Sequence, residues 1–87
     1  MKIILCGYNW AGCSALDQLL DFGYDVYVFT HESPPHIPSL LNYCKERSIW
    51  VSTENINLQT IPIDPDYICS IYYRKIISKD ILQLVNY

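Results

Sequence analysis

Runs of consecutive apolar residues alternate along this chain with segments in which apolar positions recur at helical spacing. Ile3 to Cys6 and Val26 to Phe29 are short, continuous apolar runs. Such runs are typical of strands that are buried on both faces, as in a parallel sheet. The helical spacing between them is carried by Leu16, Leu19 and Leu20. The first part of the chain therefore predicts a strand, a helix and a second strand.

The same alternation continues after the second strand, which we expect to span Asp25 to Thr30. A second amphipathic helix is predicted by apolar residues at i, i+3, i+4 and i+7, namely Ile37, Leu40, Leu41 and Cys44. Further strands are predicted at Ile49 to Val51 and at Tyr67 to Tyr73. Prolines make 52–65 a loop with one turn of helix at most, and Ser78 can cap a last helix.

This order of elements predicts an α/β fold. We expect a Rossmann-like open parallel sheet with right-handed crossovers and helices on both faces. In such an order the fourth strand lies beside the first. Gly23 is expected to close the first helix in a left-handed conformation.

Composition and charge narrow the possible partners. The chain has 87 residues, of which 51% are hydrophobic and 17% are charged, which fits one small folded domain. A net charge of −3 provides no basic surface for nucleic acid. No apolar run approaches the roughly 20 residues that span a bilayer, so no membrane partner is expected.

The cysteines indicate the cellular compartment. None of the four forms a CxxC pair, and two of them lie in strand-like runs. We interpret them as reduced core residues of a cytoplasmic protein. His31 and His36 have no matching cysteine pair nearby, so no metal site is expected.

Ligands of open parallel sheets bind beyond the carboxyl ends of the strands, where this chain has three predicted loops. The first, Gly7 to Gly12, lacks the GxGxxG order, so it is a weak dinucleotide fingerprint. It precedes a helix whose free N–H groups favour an anion, although the glycines can equally serve a tight turn. Tyr8, Asn9 and Trp10 in this loop are candidate substrate-binding residues, because exposed aromatic rings stack on bases and sugars.

The loop after the fourth predicted strand carries two cations. Arg74 and Lys75 could bind a carboxylate or phosphate, or could simply be solvated. The backbone of Ile76 and Ile77 could contact a flat heterocycle, or the two side chains could be packing residues. The residues alone leave both alternatives open.

The chain resembles the N-terminal part of the formyltransferase family, which includes methionyl-tRNA formyltransferase and the sugar N-formyltransferases. The resemblance is carried by Ser70-Ile71-Tyr72-Tyr73-Arg74-Lys75-Ile76-Ile77 and Asp80-Ile81-Leu82-Gln83-Leu84. These segments are similar to enzymes that formylate UDP-4-amino-4-deoxy-L-arabinose. Matches also occur at Gly7-Tyr8, Gly12-Cys13, Leu19-Leu20, Gly23-Tyr24 and Phe29-Thr30-His31.

The resemblance implies an enzyme that moves a formyl group from 10-formyltetrahydrofolate to a nucleotide-linked (UDP or dTDP) 4-amino sugar, for surface polysaccharide synthesis. Lys75, Ile76 and Ile77 match the loop whose main chain binds the folate. The family's catalytic residues would follow Tyr87, so residues 1–87 are expected to be the N-terminal portion of the catalytic domain. We expect this portion alone to be inactive, and either to associate through its fourth strand or to be marginally stable.

Other functions remain open from sequence. A non-catalytic folate- or nucleotide-binding module would need no downstream catalytic residues, and a nicotinamide-dependent enzyme is a further alternative. Methionyl-tRNA formyltransferases carry a longer, arginine-containing loop after the second strand than the one found here. A homodimer is one possible assembly of the full-length enzyme.

Overall fold

The computed structural model describes residues 1–32, 39–71, 73 and 77 of the chain. Strands and helices alternate over most of this length. In chain order the elements are β1 (Lys2–Gly7), α1 (Asn9–Asp21), β2 (Asp25–Phe29), α2 (Leu40–Glu46), β3 (Val51–Ser52) and β4 (Tyr67–Ile71). Among the described helices, none combines the length and apolar character that crossing a bilayer requires.

The four described strands form one parallel sheet in the order β3-β2-β1-β4. Leu5 of the central strand β1 lies opposite Val28 of β2 and Cys69 of β4. The predicted α/β fold with a parallel sheet is confirmed, and so is the position of the fourth strand beside the first. The carboxyl ends of β1, β2 and β4 therefore meet at the same edge of the sheet.

One face of the sheet, which we call the helical face, is covered by α1 and α2. Its buried cluster consists of Leu5, Leu16, Val26, Val28, Leu40 and Cys44. α1 begins so close to β1 that a side chain at Gly12 would have no room. A Cβ atom added to Gly12 would lie 2.8 Å from Leu40 Cδ2 and 3.4 Å from the Gly7 carbonyl carbon. The two glycines of the first predicted loop thus serve a close approach of helix and strand.

The opposite face, which we call the loop face, is covered by the irregular segment 53–66. Its buried cluster consists of Ile4, Cys6, Phe29 and Ile56. Side chains tie the segment together, since the Asn57 N–H donates to Thr60 Oγ1 at 2.9 Å and that hydroxyl donates to the Asn55 carbonyl at 2.8 Å. The segment holds a turn rather than a further strand or helix, as its prolines predict.

The prediction of helices on both faces is wrong for the described part of the chain. The crossovers β1-α1-β2 and β2-α2-β3 advance across the sheet in the same direction. Two crossovers of the same hand that advance in one direction place both helices on one face, and among the described residues the other face is covered by the segment 53–66 with Tyr73 and Ile77. The last predicted helix, from Ser78, lies outside the described residues.

Both ends of α1 are determined by residues with a positive φ and by the hydrogen bonds made there. Its start differs from the prediction, because Asn9 adopts a left-handed φ of 55° and its Oδ1 accepts the Ala11 N–H at 2.9 Å. The polar loop expected before the helix is thus reduced to Tyr8. The prediction for Gly23 is confirmed by its φ of 80°. The Gly23 and Tyr24 N–H groups donate to the Leu20 and Leu19 carbonyls, as in a Schellman motif.

The other element boundaries shift by a few residues. α2 begins after Ser39, whose Oγ accepts the Asn42 N–H at 3.1 Å. Ile37, which the apolar spacing placed in this helix, lies outside the described residues. β3 is displaced towards the carboxyl end of the predicted strand, and β4 ends at Ile71 instead of Tyr73.

Candidate functional site

The carboxyl ends of β1, β2 and β4 present a group of aromatic and polar side chains. Tyr8 follows β1 directly, Thr30 and His31 follow β2, and Tyr73 lies two residues after β4. We call this region the carboxyl edge. It is the part of a parallel sheet at which ligands bind in α/β proteins.

Three rings at the carboxyl edge contact one another and form what we call the aromatic bridge, made of Tyr8, His31 and Tyr73. The His31 ring stacks on the Tyr73 ring with centroids 5.0 Å apart and an interplanar angle of 22°. The Tyr8 ring meets His31 edge-on, with centroids 5.3 Å apart. Because β1 lies between β2 and β4, the His31–Tyr73 contact connects the ends of two strands that are not neighbours.

The three predicted substrate-binding residues have different environments. Tyr8 was expected to be exposed, and this is wrong, because the ring is only 5% exposed and contacts His31. Asn9 uses its side-chain oxygen within the first turn of α1. Trp10 keeps 65% of its surface exposed, so its indole is open for stacking on a ligand. It belongs to the helix, however, and not to a loop.

The predicted folate-binding residues are described only at their far end. Lys75 and Ile76, together with Arg74, lie outside the described residues. Ile77 is described and packs against the buried cluster of the loop face. Tyr73 packs against the same cluster. The residues on both sides of the 74–76 segment therefore contact one hydrophobic cluster.

Two buried hydroxyl groups lie close to the carboxyl edge. Within the described part of the chain, Thr30 Oγ1 and the Tyr73 hydroxyl have no hydrogen-bond partner. Burial raises the pKa of Tyr73, and the nearby Cys6 adds to the increase. The Ile56 backbone approaches the hydroxyl and lowers this pKa in part, although no hydrogen bond of normal geometry forms. A buried hydroxyl without a partner is costly, so both groups are candidates for binding water or a ligand.

The cysteines are structural. All four are free, and Cys6 and Cys44 are buried. Burial raises the pKa of both buried thiols to about 12, with a smaller contribution from Cys69 at Cys6 and from Cys13 at Cys44. Neutral thiols of this kind are poor nucleophiles. The described residues also contain no group of three His, Cys, Asp or Glu side chains that could hold a metal ion.

An open cleft of about 580 Å³ is lined by residues 67–70 of β4. Its lining also includes Ile3 of β1, Met1 and Tyr24 at the amino end of the sheet, and Ile77. The cleft is therefore distinct from the aromatic bridge. β4 is the edge strand of the described sheet, and β1 is its one described neighbour. The expected association of the chain through this strand stays a prediction.

His31 is the residue whose position the sequence analysis did not anticipate. The sequence indicated only that His31 follows a buried strand and belongs to the segment Phe29-Thr30-His31, which is similar to the formyltransferase family. The spacing between positions 31 and 73 gives no indication of a contact, because the sheet order alone brings them together.

No protein-family model matches this chain. The similarity to formyltransferases consequently rests on the individual residues quoted above, above all the Ser70 to Ile77 motif.

Proposed function

We propose that this chain supplies the folate-binding half of an N-formyltransferase. In this proposal the protein moves a formyl group from 10-formyltetrahydrofolate to the amine of a nucleotide-linked 4-amino sugar. The domain would then be the N-terminal portion of a Rossmann-like catalytic domain. The sugar, the choice between UDP and dTDP, and a role in surface polysaccharide synthesis belong to the same proposal.

The observation that carries the proposal is the motif from Ser70 to Ile77 at the end of β4. β4 lies beside the central strand β1, which is the place that a Rossmann-like order gives to a fourth strand. The motif therefore begins inside the sheet, at the last two residues of β4, next to the edge at which ligands of such folds bind. Tyr73 and Ile77, two residues of the motif, both pack on the loop-face cluster.

The described residues fit a flat heterocycle such as a pterin better than a highly charged ligand. The carboxyl edge offers ring faces, the exposed Trp10 and two buried hydroxyl groups. A pterin needs a flat apolar surface and a few hydrogen-bonding groups, which main-chain atoms can provide. The mild net charge of −3 agrees with a small ligand more than with tRNA.

In the proposed reaction the amine nitrogen attacks the formyl carbon. A new C–N bond forms, the bond from the formyl carbon to N10 of the folate breaks, and one proton passes from the amine to the leaving nitrogen. We assign no described residue as the carrier of this proton. The role proposed for this chain is to bind and orient the donor.

A second candidate is a non-catalytic module that binds folate or a nucleotide. The contacts described at the carboxyl edge favour it, because they are ring contacts without an assigned acid and base. Methionyl-tRNA formyltransferase is a third candidate that the same assay separates.

The test is an assay of the full-length protein with 10-formyltetrahydrofolate and UDP- or dTDP-linked 4-amino sugars. We expect mass spectrometry to show a formylated sugar and stoichiometric release of tetrahydrofolate. Turnover with methionyl-tRNA alone would assign the tRNA branch. Folate binding without turnover would favour the binding module, and absence of folate binding would refute the proposal.

The main-chain mode of folate binding has its own test. Lys75→Ala should leave folate affinity in calorimetry nearly unchanged, whereas Ile76→Pro removes an N–H group and should weaken it strongly. A lost affinity in the alanine variant with an intact proline variant would contradict binding through the backbone.

A further inference from the structure

We propose that the nucleotide of the sugar substrate binds on the helical-face side of the carboxyl edge. Its base stacks on the Trp10 indole, and an oxygen of its ribose or phosphates accepts a hydrogen bond from Thr30 Oγ1. This inference rests on the proposed function, because that function requires a nucleotide-linked amino sugar as the second ligand. It assigns the two ligands of the reaction to different sides of the sheet.

The first observation is the exposed indole of Trp10. Trp10 is the second residue of α1 and keeps 65% of its surface exposed. The next two residues of the helix, Ala11 and Gly12, are small and leave the indole open to a flat ring. The first turn of α1 contains no acidic side chain, so phosphate groups attached to such a ring meet no carboxylate there. An indole in this setting is suited to stack on a nucleotide base.

Exposure alone does not identify a ligand site, since single apolar residues are common on protein surfaces. Phe22 is more exposed than Trp10, at 71%, but it follows α1 at the amino end of the sheet. There its ring stacks on Tyr24, with centroids 5.8 Å apart. Trp10 lies at the opposite end of the same helix, at the edge where ligands of parallel sheets bind. The position of Trp10 therefore carries the argument together with its exposure.

The second observation is a hydroxyl group without a partner on the same side of the sheet. The Thr30 N–H donates to the Ser52 carbonyl at 3.0 Å, so strand geometry continues one residue beyond β2. Val28 belongs to the helical-face cluster and Phe29 to the loop-face cluster, so the alternation along the strand directs Thr30 to the helical face. Thr30 is fully buried, and its Oγ1 has no hydrogen-bond partner within the described part of the chain. Such a hydroxyl is costly until water or a ligand pairs with it.

The two groups lie at neighbouring strand ends. Cys6 of β1 lies opposite Phe29 of β2, so the next residues, Gly7 and Thr30, are adjacent as well. Trp10 follows Gly7 by three residues, which correspond to at most about 11 Å of chain. A nucleotide has a flat base at one end and oxygen acceptors along the rest of its length. One such ligand can therefore use both the indole and the hydroxyl.

The folate donor is assigned to the opposite side of the sheet. Tyr73 and Ile77, the described residues of the motif beyond β4, pack on the loop-face cluster. The helix that carries Trp10 covers the helical face instead. Trp10 and Thr30 therefore remain for the second ligand, and the two ligands meet at the carboxyl edge, as transfer between them requires.

Calorimetry on the full-length protein tests this division with nucleotide and folate probes. The nucleotides are UDP and dTDP, and the folate is N5-formyltetrahydrofolate, a stable isomer of the donor. The variants are Trp10→Ala, Thr30→Val and Phe22→Ala. Thr30→Val replaces the hydroxyl by a methyl group of nearly the same size. Phe22→Ala is the matched control, since it removes an exposed aromatic ring from the other end of the same helix.

We expect Trp10→Ala to weaken binding of the preferred nucleotide by about ten- to a hundredfold, as for the loss of a base stacked on an aromatic ring. Thr30→Val should weaken it about three- to tenfold through the lost hydrogen bond. The same variant should not lower the melting temperature of the free protein, because the hydroxyl has no partner there. Both variants should retain the wild-type folate affinity, and Phe22→Ala should retain every wild-type value.

Three results would overturn the inference. Wild-type nucleotide affinity in Trp10→Ala would exclude the stacked base, and a loss of folate affinity in its place would assign the indole to the donor. Wild-type nucleotide affinity in Thr30→Val would show that the hydroxyl does not contact the nucleotide. A wild-type protein that binds neither UDP nor dTDP would refute the inference as a whole.

Failure of the proposed function gives a different pattern. If the wild-type protein binds a nucleotide but no folate, the formyltransferase proposal fails. Weakened nucleotide binding in Trp10→Ala and Thr30→Val then still supports the nucleotide site, and the chain fits the non-catalytic binding module. If the protein formylates a nucleotide-linked sugar and neither variant changes the nucleotide affinity, only the inference is refuted.

Discussion

The two faces of the sheet are built in different ways although they share the same strands. On the helical face, two helices with regular apolar spacing cover alternate residues of β1, β2 and β4. On the loop face, the remaining strand residues are covered by the irregular segment 53–66, in which Ile56 and Pro65 are the buried residues among those described. Among the described residues, one face is thus covered by periodic elements, and the other by a few specific contacts.

The comparison separates stability from ligand binding. The helical face contains the larger buried cluster, which includes Leu16 and Leu40. The loop face contains the smaller cluster, and both Tyr73 and Ile77 pack against it. We therefore expect substitutions on the helical face to reduce global stability most. Substitutions on the loop face should act more locally and extend to the residues proposed to bind folate.

The largest effect is expected at the centre of the helical face. Leu16 is fully buried between α1 and the sheet, so Leu16→Ala removes apolar contacts and leaves a cavity. We expect the free energy of unfolding to fall by about 3 kcal/mol in urea denaturation. Leu58→Ala is the control, since Leu58 is 52% exposed, and it should change stability by less than about 0.5 kcal/mol. Similar losses in both variants would contradict the division between core and surface.

A smaller and more local effect is expected on the loop face. Ile56 is 3% exposed and anchors the irregular segment. Ile56→Ala should lower the free energy of unfolding by about 2 kcal/mol, at the lower end of the range for such changes, because a loop can partly close the cavity.

Hydrogen exchange distinguishes the two faces in this variant. Amides of 53–66 and of Tyr73 should exchange faster, while those of α1 keep their protection. Uniformly faster exchange over the whole described chain would show that the two faces unfold as one unit.

A pH-dependent effect is expected at Cys6, also on the loop face. Burial raises the pKa of this thiol from about 9 to about 12. Below pH 9 the thiol is neutral in both the folded and the unfolded state. Between pH 9 and 12 only the unfolded state loses the proton, so the stability contribution of the neutral buried thiol is lost as pH rises.

Between pH 8 and pH 10, the ionisation of Cys6 in the unfolded state is expected to lower the free energy of unfolding by about 1.4 kcal/mol. Urea denaturation of wild type and Cys6→Ala at both values measures it, because other alkaline titrations cancel in the difference. The wild-type protein should lose more stability than the variant. Equal losses would show that the thiol is not shielded from water in the folded state.

The predictability of the structure from sequence follows the same division. Leu16, Leu40 and Cys44 recur at helical spacing, and all of them lie in the helical-face cluster as the periodicity predicts. The left-handed conformation of Gly23 was predicted from its position directly after the first helix. These features depend on residues close in sequence, so one sequence is enough to predict them.

The loop face and the aromatic bridge depend on contacts between distant residues. Ile56 lies in a segment without periodicity, and nothing in its neighbours indicates that it fills the loop-face cluster. Tyr8 was predicted to be exposed, but it is buried by a ring contact with His31, which lies 23 residues later in the sequence. The candidate site is therefore less predictable than the sheet on which it stands.

The smallest effect is expected at a polar contact that joins the amino ends of β1 and β4. Asp66 Oδ2 accepts the Lys2 N–H at 2.8 Å, and the Asp66 N–H donates to the Lys2 carbonyl at 2.7 Å. The Asp66 side chain thus ends the loop segment and sets the register of β4 against β1. Asp66→Ala should lower the free energy of unfolding by about 1 kcal/mol, because the contact is exposed and water can replace the carboxylate. Asp64→Ala, an exposed carboxylate in the same segment, should change it by less than about 0.5 kcal/mol. If thermal melts showed equal shifts for both variants, the loss would come from net charge and not from the contact with Lys2.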